Sequence, residues 1–248
     1  MLVALAVLAW TVSDLRMSGM DTGPGSPLGT FGFFVVTWVV MMAAMMFPSA
    51  APMVAMCVSI QRGRRRLDPR AATGATACFV AGYLLVWGAA GVFAFFGVKV
   101  GADLGGSSIS WSHGGRWIAA AILLGAAVYE VTPLKHACLT RCRSPLSFVL
   151  TSWRSGRTGA VRMGVRHGGW CLGCCWGLMA ALFALGVMSL AWMAVISALI
   201  AIEKLLPWRR IGVGVTTAVL LVLAAGVALA PDQVPGLTVP GPGMAIMS

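Results

Sequence analysis

Apolar residues run along this chain in long, nearly unbroken stretches. They do not alternate with polar residues at the spacing of a half-buried strand or a surface helix. Seven runs stand out: Leu2–Val12, Phe31–Ile60, Thr73–Val98, Arg116–Val131, His167–Met188, Ala191–Leu206 and Ile211–Ala230. A helix needs about 20 apolar residues to cross a hydrocarbon layer. The pattern therefore predicts an all-α, polytopic transmembrane helix bundle of about seven spans. Residues 1–230 form one helical domain on this reading, followed by a flexible Pro/Gly-rich tail at 231–248. The first run is short for a span, so its helix continues through Ser18 or begins upstream. It has neither the basic start nor the small-residue cleavage site of a signal peptide. Pro48 and Pro52 interrupt the second run, where proline removes a backbone donor and is expected to kink or break the helix.

The polar segments between the runs carry the orientation. Arg62, Arg64, Arg65, Arg66 and Arg70 follow the second run. Lys135, Arg141, Arg143, Arg154, Arg157, Arg162 and Arg166 lie between the fourth and fifth, and Lys204, Arg209 and Arg210 between the sixth and seventh. The alternate connections hold few cations. The positive-inside rule then puts the N-terminus in and the C-terminus out. The segment from Val131 to Arg166 is expected to hold an amphipathic helix on the cytoplasmic face.

Composition agrees with a membrane class. Hydrophobic residues make up 59% of the 248 and charged residues 10%, and the mean hydropathy is +0.89. A soluble domain is about half apolar and a quarter charged. The net charge of +11 would suggest nucleic acid in a soluble protein. Here the arginines occupy the loops, so membrane orientation accounts for them and no nucleic-acid partner is expected. The chain belongs, on these grounds, in a membrane.

Cysteine changes the picture. Five of the seven cysteines form two clusters, each with a histidine: His136, Cys138 and Cys142, then His167, Cys171, Cys174 and Cys175. Cys138 and Cys142 are four residues apart, as are His167 and Cys171, and Cys174 and Cys175 continue that stripe. The predicted orientation puts all of them on the reducing, cytoplasmic side, where free thiols are expected. Soft thiolates with imidazoles read as a site for a soft metal ion, Cu(I) first and Zn²⁺ as the alternative. Lys135, Arg141 and Arg166 nearby would favour the thiolate form. Two other readings stand beside this one. Cysteine is also a small buried hydrophobe, which suits the isolated Cys57 and Cys78. A redox pair is the third reading, although adjacent cysteines are not the usual redox spacing.

Methionine adds a second soft set. Met41, Met42, Met45 and Met46 fall in the second run, with Met53 and Met56 beyond, and Met179 lies one turn past Cys175. Met17, Met20, Met188, Met193, Met244 and Met247 fall toward the predicted outer face. Thioether sulfur is a neutral soft ligand suited to Cu(I). Singly, each methionine reads as core filler. Together they suggest a path from outer methionines to inner cysteines. The polar residues inside apolar runs are few. Glu130, Glu203, Lys204 and Lys135 are candidates for polar support or proton exchange, with Glu203 and Lys204 equally able to snorkel to the interface. His113 reads as an ordinary loop histidine.

The segments Trp38 to Pro48, Pro133-Leu134-Lys135 to Cys142, His167-Gly168 to Met179, and Trp192-Met193 to Glu203-Lys204 resemble a bacterial family of predicted metal-binding integral membrane proteins, a domain of unknown function. The resemblance implies a multi-helix membrane fold and a link to metal, with no activity attached. Three classes of function follow. The first is Cu(I) transport or delivery across the membrane, with the lipid bilayer, the metal ion and a metallochaperone or membrane protein as partners. The second is a membrane metalloenzyme or thiol oxidoreductase, for which no catalytic constellation is visible. The third is an assembly partner with a structural Zn²⁺ site.

Overall fold

A computed structural model describes residues 2–17, 29–65, 74–105, 114–154, 156–186 and 189–234. Met20, His113, Met188, Met244, Met247 and the tail from residue 235 lie outside the described residues. Among the described residues the chain has nine α-helices, one short 3₁₀ turn and no strand. The helices are α1 (Leu2–Met17), α2 (Phe31–Arg65), α3 (Ala75–Gly105), α4 (Arg116–Glu130), α5 (Pro133–Cys142), α6 (Pro145–Ser152), α7 (Gly156–Leu185), α8 (Leu190–Leu205) and α9 (Arg209–Leu229).

Helix length follows the apolar runs, with informative departures. Four helical stretches are long and apolar enough to cross a membrane: Phe31–Ile60, Ala75–Gly101, Gly156–Leu185 and Arg209–Leu229. A fifth arises if α4 and α5, bent by 68° at their junction, count as one broken span. The bend has a local cause. Pro133 lacks an N–H and disfavours helical geometry at Thr132, and Thr132 turns its hydroxyl back to the carbonyl of Tyr129 at 2.7 Å. Helices α1 and α8 have 16 residues each, about 24 Å at 1.5 Å per residue, less than a hydrocarbon layer. The prolines of α2 do not end it: the helix runs continuously through Pro48 and Pro52, although the carbonyl of Ala44 still loses its usual donor. The segment expected to hold one surface helix instead folds as α5, α6 and the first turns of α7, where Arg157, Arg162 and Arg166 are exposed.

The chain forms two compact units, interleaved in sequence. The first takes residues 1–13, 32–94 and 133–175, and the second takes 14–31, 95–132 and 176–248.

Small residues hold the first unit together. A β-carbon at Gly82 of α3 would run into the backbone carbonyl of Val161 of α7, and one at Gly164 into that of Phe79. Gly168 lies against Val86 and the carbonyl of Tyr83. Backbones this close are possible only without side chains, as is common where helices pack in lipid. On the other side of α3, the ring of Trp38 fills the space over Gly91, and its indole N–H donates to the carbonyl of Trp87 at 2.9 Å. Trp87 is fully buried.

In the second unit α9 packs along α4 and against α8, with Gly212 next to Glu203 and Ile202. Gly177 receives the ring of Tyr129, which also lies 4.8 Å from that of Trp176. Phe31, Phe95 and Phe96 form an aromatic trio. In both units large apolar side chains such as Phe93 of the first and Leu104, Val222 and Leu229 of the second are 70–84% exposed, far more apolar surface than a protein surrounded by water ordinarily shows.

Candidate metal centre

The sulfur-bearing residues gather in the first unit because two buried helical segments supply them. Every residue from Met41 to Phe47 on α2 is buried. Met41, Met42, Met45 and Met46 are therefore enclosed on both adjoining faces, and Met53 is buried about two turns past Met46. On α7, His167, Cys171, Cys174 and Cys175 are all buried, as the four-residue stripe requires.

Cys171 organises the second segment. Its backbone carbonyl accepts from the Cys174 thiol at 3.1 Å and from the Cys175 thiol at 2.9 Å. Its own sulfur lies 3.0 Å from the hydroxyl of Tyr83. Both thiols are thus drawn toward one point of the helix, while Cys171 Sγ faces α3. His167, one turn earlier, is packed in aromatic rings: Tyr83 at 5.8 Å, Phe79 at 6.0 Å and Phe148 of α6 edge-on at 5.6 Å.

Helix α5 contributes unevenly. Cys138 is buried, with its sulfur seated over Gly173, the residue before Cys174. Lys135 is also buried. Cys142 is only half-buried and His136 is exposed, and the carbonyl of His136 takes the hydroxyl of Thr140 at 2.8 Å. Arg141 stacks over the ring of Trp170 at 4.2 Å, which ties α5 to α7 through a cation–π contact. The fold thus brings Cys138 to the α7 cysteines. It leaves His136 on the surface.

Met179, Glu130, Glu203 and Lys204 belong to the second unit and are buried there. Among the described residues no three of His, Cys, Asp and Glu converge closely enough to hold a metal ion. No disulfide joins the seven cysteines. What the first unit does hold is thiol and thioether sulfur, the donor chemistry of a soft monovalent ion. Tyr83, Phe79, Phe148 and Gly173 carry no mark of metal chemistry in the sequence. That Tyr83 is one of only two tyrosines is the nearest thing to a signal.

No curated protein and no solved structure matches this chain. Residues 35–228, from α2 through nearly all of α9, match the PpoB2 family, described as copper chaperones. The span of that match, over every buried sulfur described above, places the chain in this copper chaperone family.

Proposed function

We propose that this chain is a multi-pass protein of the bacterial plasma membrane that receives Cu(I) at buried methionines and delivers it through the α7 cysteines to a partner protein. The single observation that carries the reading is the burial of Met41, Met42, Met45 and Met46 together with Cys171, Cys174 and Cys175 in one compact unit. Copper is cargo in this reading. Cu(I) is satisfied by two or three sulfur donors, whereas a closed structural Zn²⁺ site takes four ligands in a tetrahedron. The buried donors of the first unit are thiol and thioether sulfur, the class of ligand that Cu(I) favours. Weak sites in series also let an ion enter and leave, where one strong cage would trap it.

The membrane part of the reading rests on the long apolar helices and the exposed apolar side chains. The alternation of basic loops supports an N-terminus in and a C-terminus out, which counts the short helices α1 and α8 among seven crossings. On this proposed orientation Cys138, Cys142, Cys171, Cys174 and Cys175 face the cytoplasm, where thiols stay reduced.

The test is anaerobic Cu(I) titration of the detergent-purified protein against a chromophoric Cu(I) chelator. The parent is expected to compete for copper, and the Cys171→Ser/Cys174→Ser/Cys175→Ser variant is expected to lose at least about 100-fold in affinity, as loss of most of a ligand set implies. Equal competition by parent and variant would remove the cysteines from the delivery route.

A further inference from the structure

We propose that Tyr83 is a positioning residue for copper transfer, its hydroxyl holding the sulfur of Cys171 in place as that sulfur takes the ion. The inference rests on the reading of Cys171 as a Cu(I)-bearing thiol, and it adds a residue from a different helix that belongs to neither the cysteine nor the methionine set.

The contact is well determined by its surroundings. Tyr83 is 2% exposed, and its hydroxyl lies 3.0 Å from Cys171 Sγ. The ring cannot drift, because the two helices are locked at either side of it. Gly82, next to Tyr83, faces the carbonyl of Val161, while Gly164 and Gly168 of α7 lie against the backbone of Phe79 and Tyr83. His167 stacks on the tyrosine ring at 5.8 Å. The phenol is therefore pinned by α7 on both sides of the sulfur that it meets.

In the thiol form either atom can donate. Once copper binds, only one direction remains. As Cu⁺ bonds to Sγ the S–H bond breaks and the proton passes to water, with copper staying Cu(I) and sulfur unchanged in oxidation state. The copper-bound sulfur has no hydrogen and can only accept, so the Tyr83 hydroxyl donates to it. A hydrogen bond from a neutral donor to a charged sulfur is stronger than one to a neutral thiol. The bond thus strengthens on loading, which favours the loaded state. The thiols of Cys174 and Cys175 donate to the carbonyl of Cys171, and those two bonds are lost when the thiols give up their protons, whereas the bond from Tyr83 to Cys171 is kept.

The experiment is a double-mutant cycle in Cu(I) affinity on the full-length protein, with Tyr83→Phe, Cys171→Ala and the pair. Tyr83→Phe keeps the ring on His167 and deletes only the hydroxyl. It is expected to weaken Cu(I) binding about tenfold or more, as a lost hydrogen bond to a charged group does, and to have no further effect once Cys171 is alanine. A Tyr83→Phe protein that binds copper like the parent overturns the inference and leaves the cysteine route standing. So does an equal loss in the Cys171→Ala background, which would mean a packing effect. A parent protein that binds no Cu(I) removes the cysteine route and this inference together. A second measurement does not depend on the folding of Tyr83→Phe. Tyr129→Phe leaves Tyr83 as the sole tyrosine, so ultraviolet resonance Raman of that variant reads the hydrogen bonding of Tyr83 directly. Loading with Cu(I) is expected to move its signature toward a strong donor. An unchanged spectrum on full loading overturns the proposal.

Discussion

The sulfur of Cys138 occupies a notch that Gly173 leaves open on α7: a β-carbon at residue 173 would stand only 2.8 Å from Cys138 Sγ. Glycine here brings a cysteine of α5 beside Cys174 across a helix boundary. Its absence of a side chain has a chemical use as well as a packing one.

Gly173→Ala is expected to displace that sulfur while leaving the fold intact. The thiol is the end of a short side chain and can rotate away for about 0.5–1.5 kcal/mol, which the higher helix propensity of alanine, about 1 kcal/mol, offsets. Alkylation by a membrane-permeant thiol reagent should therefore become faster at Cys138 with little change in thermal stability. Unchanged alkylation at Cys138 would show that the notch does not hold it.

The α3–α7 contact should respond differently. At Gly164 and Gly82 an added β-carbon meets backbone carbonyl groups, which cannot rotate away. Each Gly→Ala change is expected to destabilise by about 1–3 kcal/mol or more, as overpacking does. Gly169 has no neighbouring heavy atom within 4 Å of such a carbon, so Gly169→Ala should be neutral or stabilising by up to about 1 kcal/mol. Thermal denaturation of the three variants in one detergent checks the ranking. Equal midpoints would contradict the close approach.

For the methionines, the informative change is Met41→Leu with Met45→Leu and Met179→Leu, which keeps bulk and apolarity and deletes sulfur. Such a protein is expected to fold normally and to retain Cu(I) at its cysteines when loaded in solution, but to lose copper-dependent accumulation in cells. Accumulation like that of the parent would make these methionines core filler.

Topology can be read with reporters. Fusions after Arg70 and after Gly159 are expected to report the cytoplasm, and one after Gly236 the outside, because basic loops are retained inside. Opposite results at two of these points would reverse the placement of the cysteines and the direction of delivery.

Apolarity over 20 and more residues, the positions of proline and the spacing of sulfur along a helix are local properties. The sequence alone therefore determines that the chain is helical, that several helices suit a membrane, and that His167, Cys171, Cys174 and Cys175 share a stripe. The copper chaperone family accords with the copper reading of the chain. Which residues oppose that stripe is another matter. These helices are apolar on nearly every side, so no polar face signals which way each one turns. The partner is then chosen by where backbones can approach. Close contact at Gly82, Gly164 and Gly168 sets Tyr83 against Cys171, and the gap at Gly173 admits Cys138. The same packing leaves His136 outside, though it stands only two residues from Cys138, because adjacent positions on a helix point about 100° apart. Pro133 ends one helix at a residue visible in the sequence, but the 68° bend it produces depends on how the next helix packs. Helix content is thus decided along the chain, and the surroundings of each sulfur are decided across it.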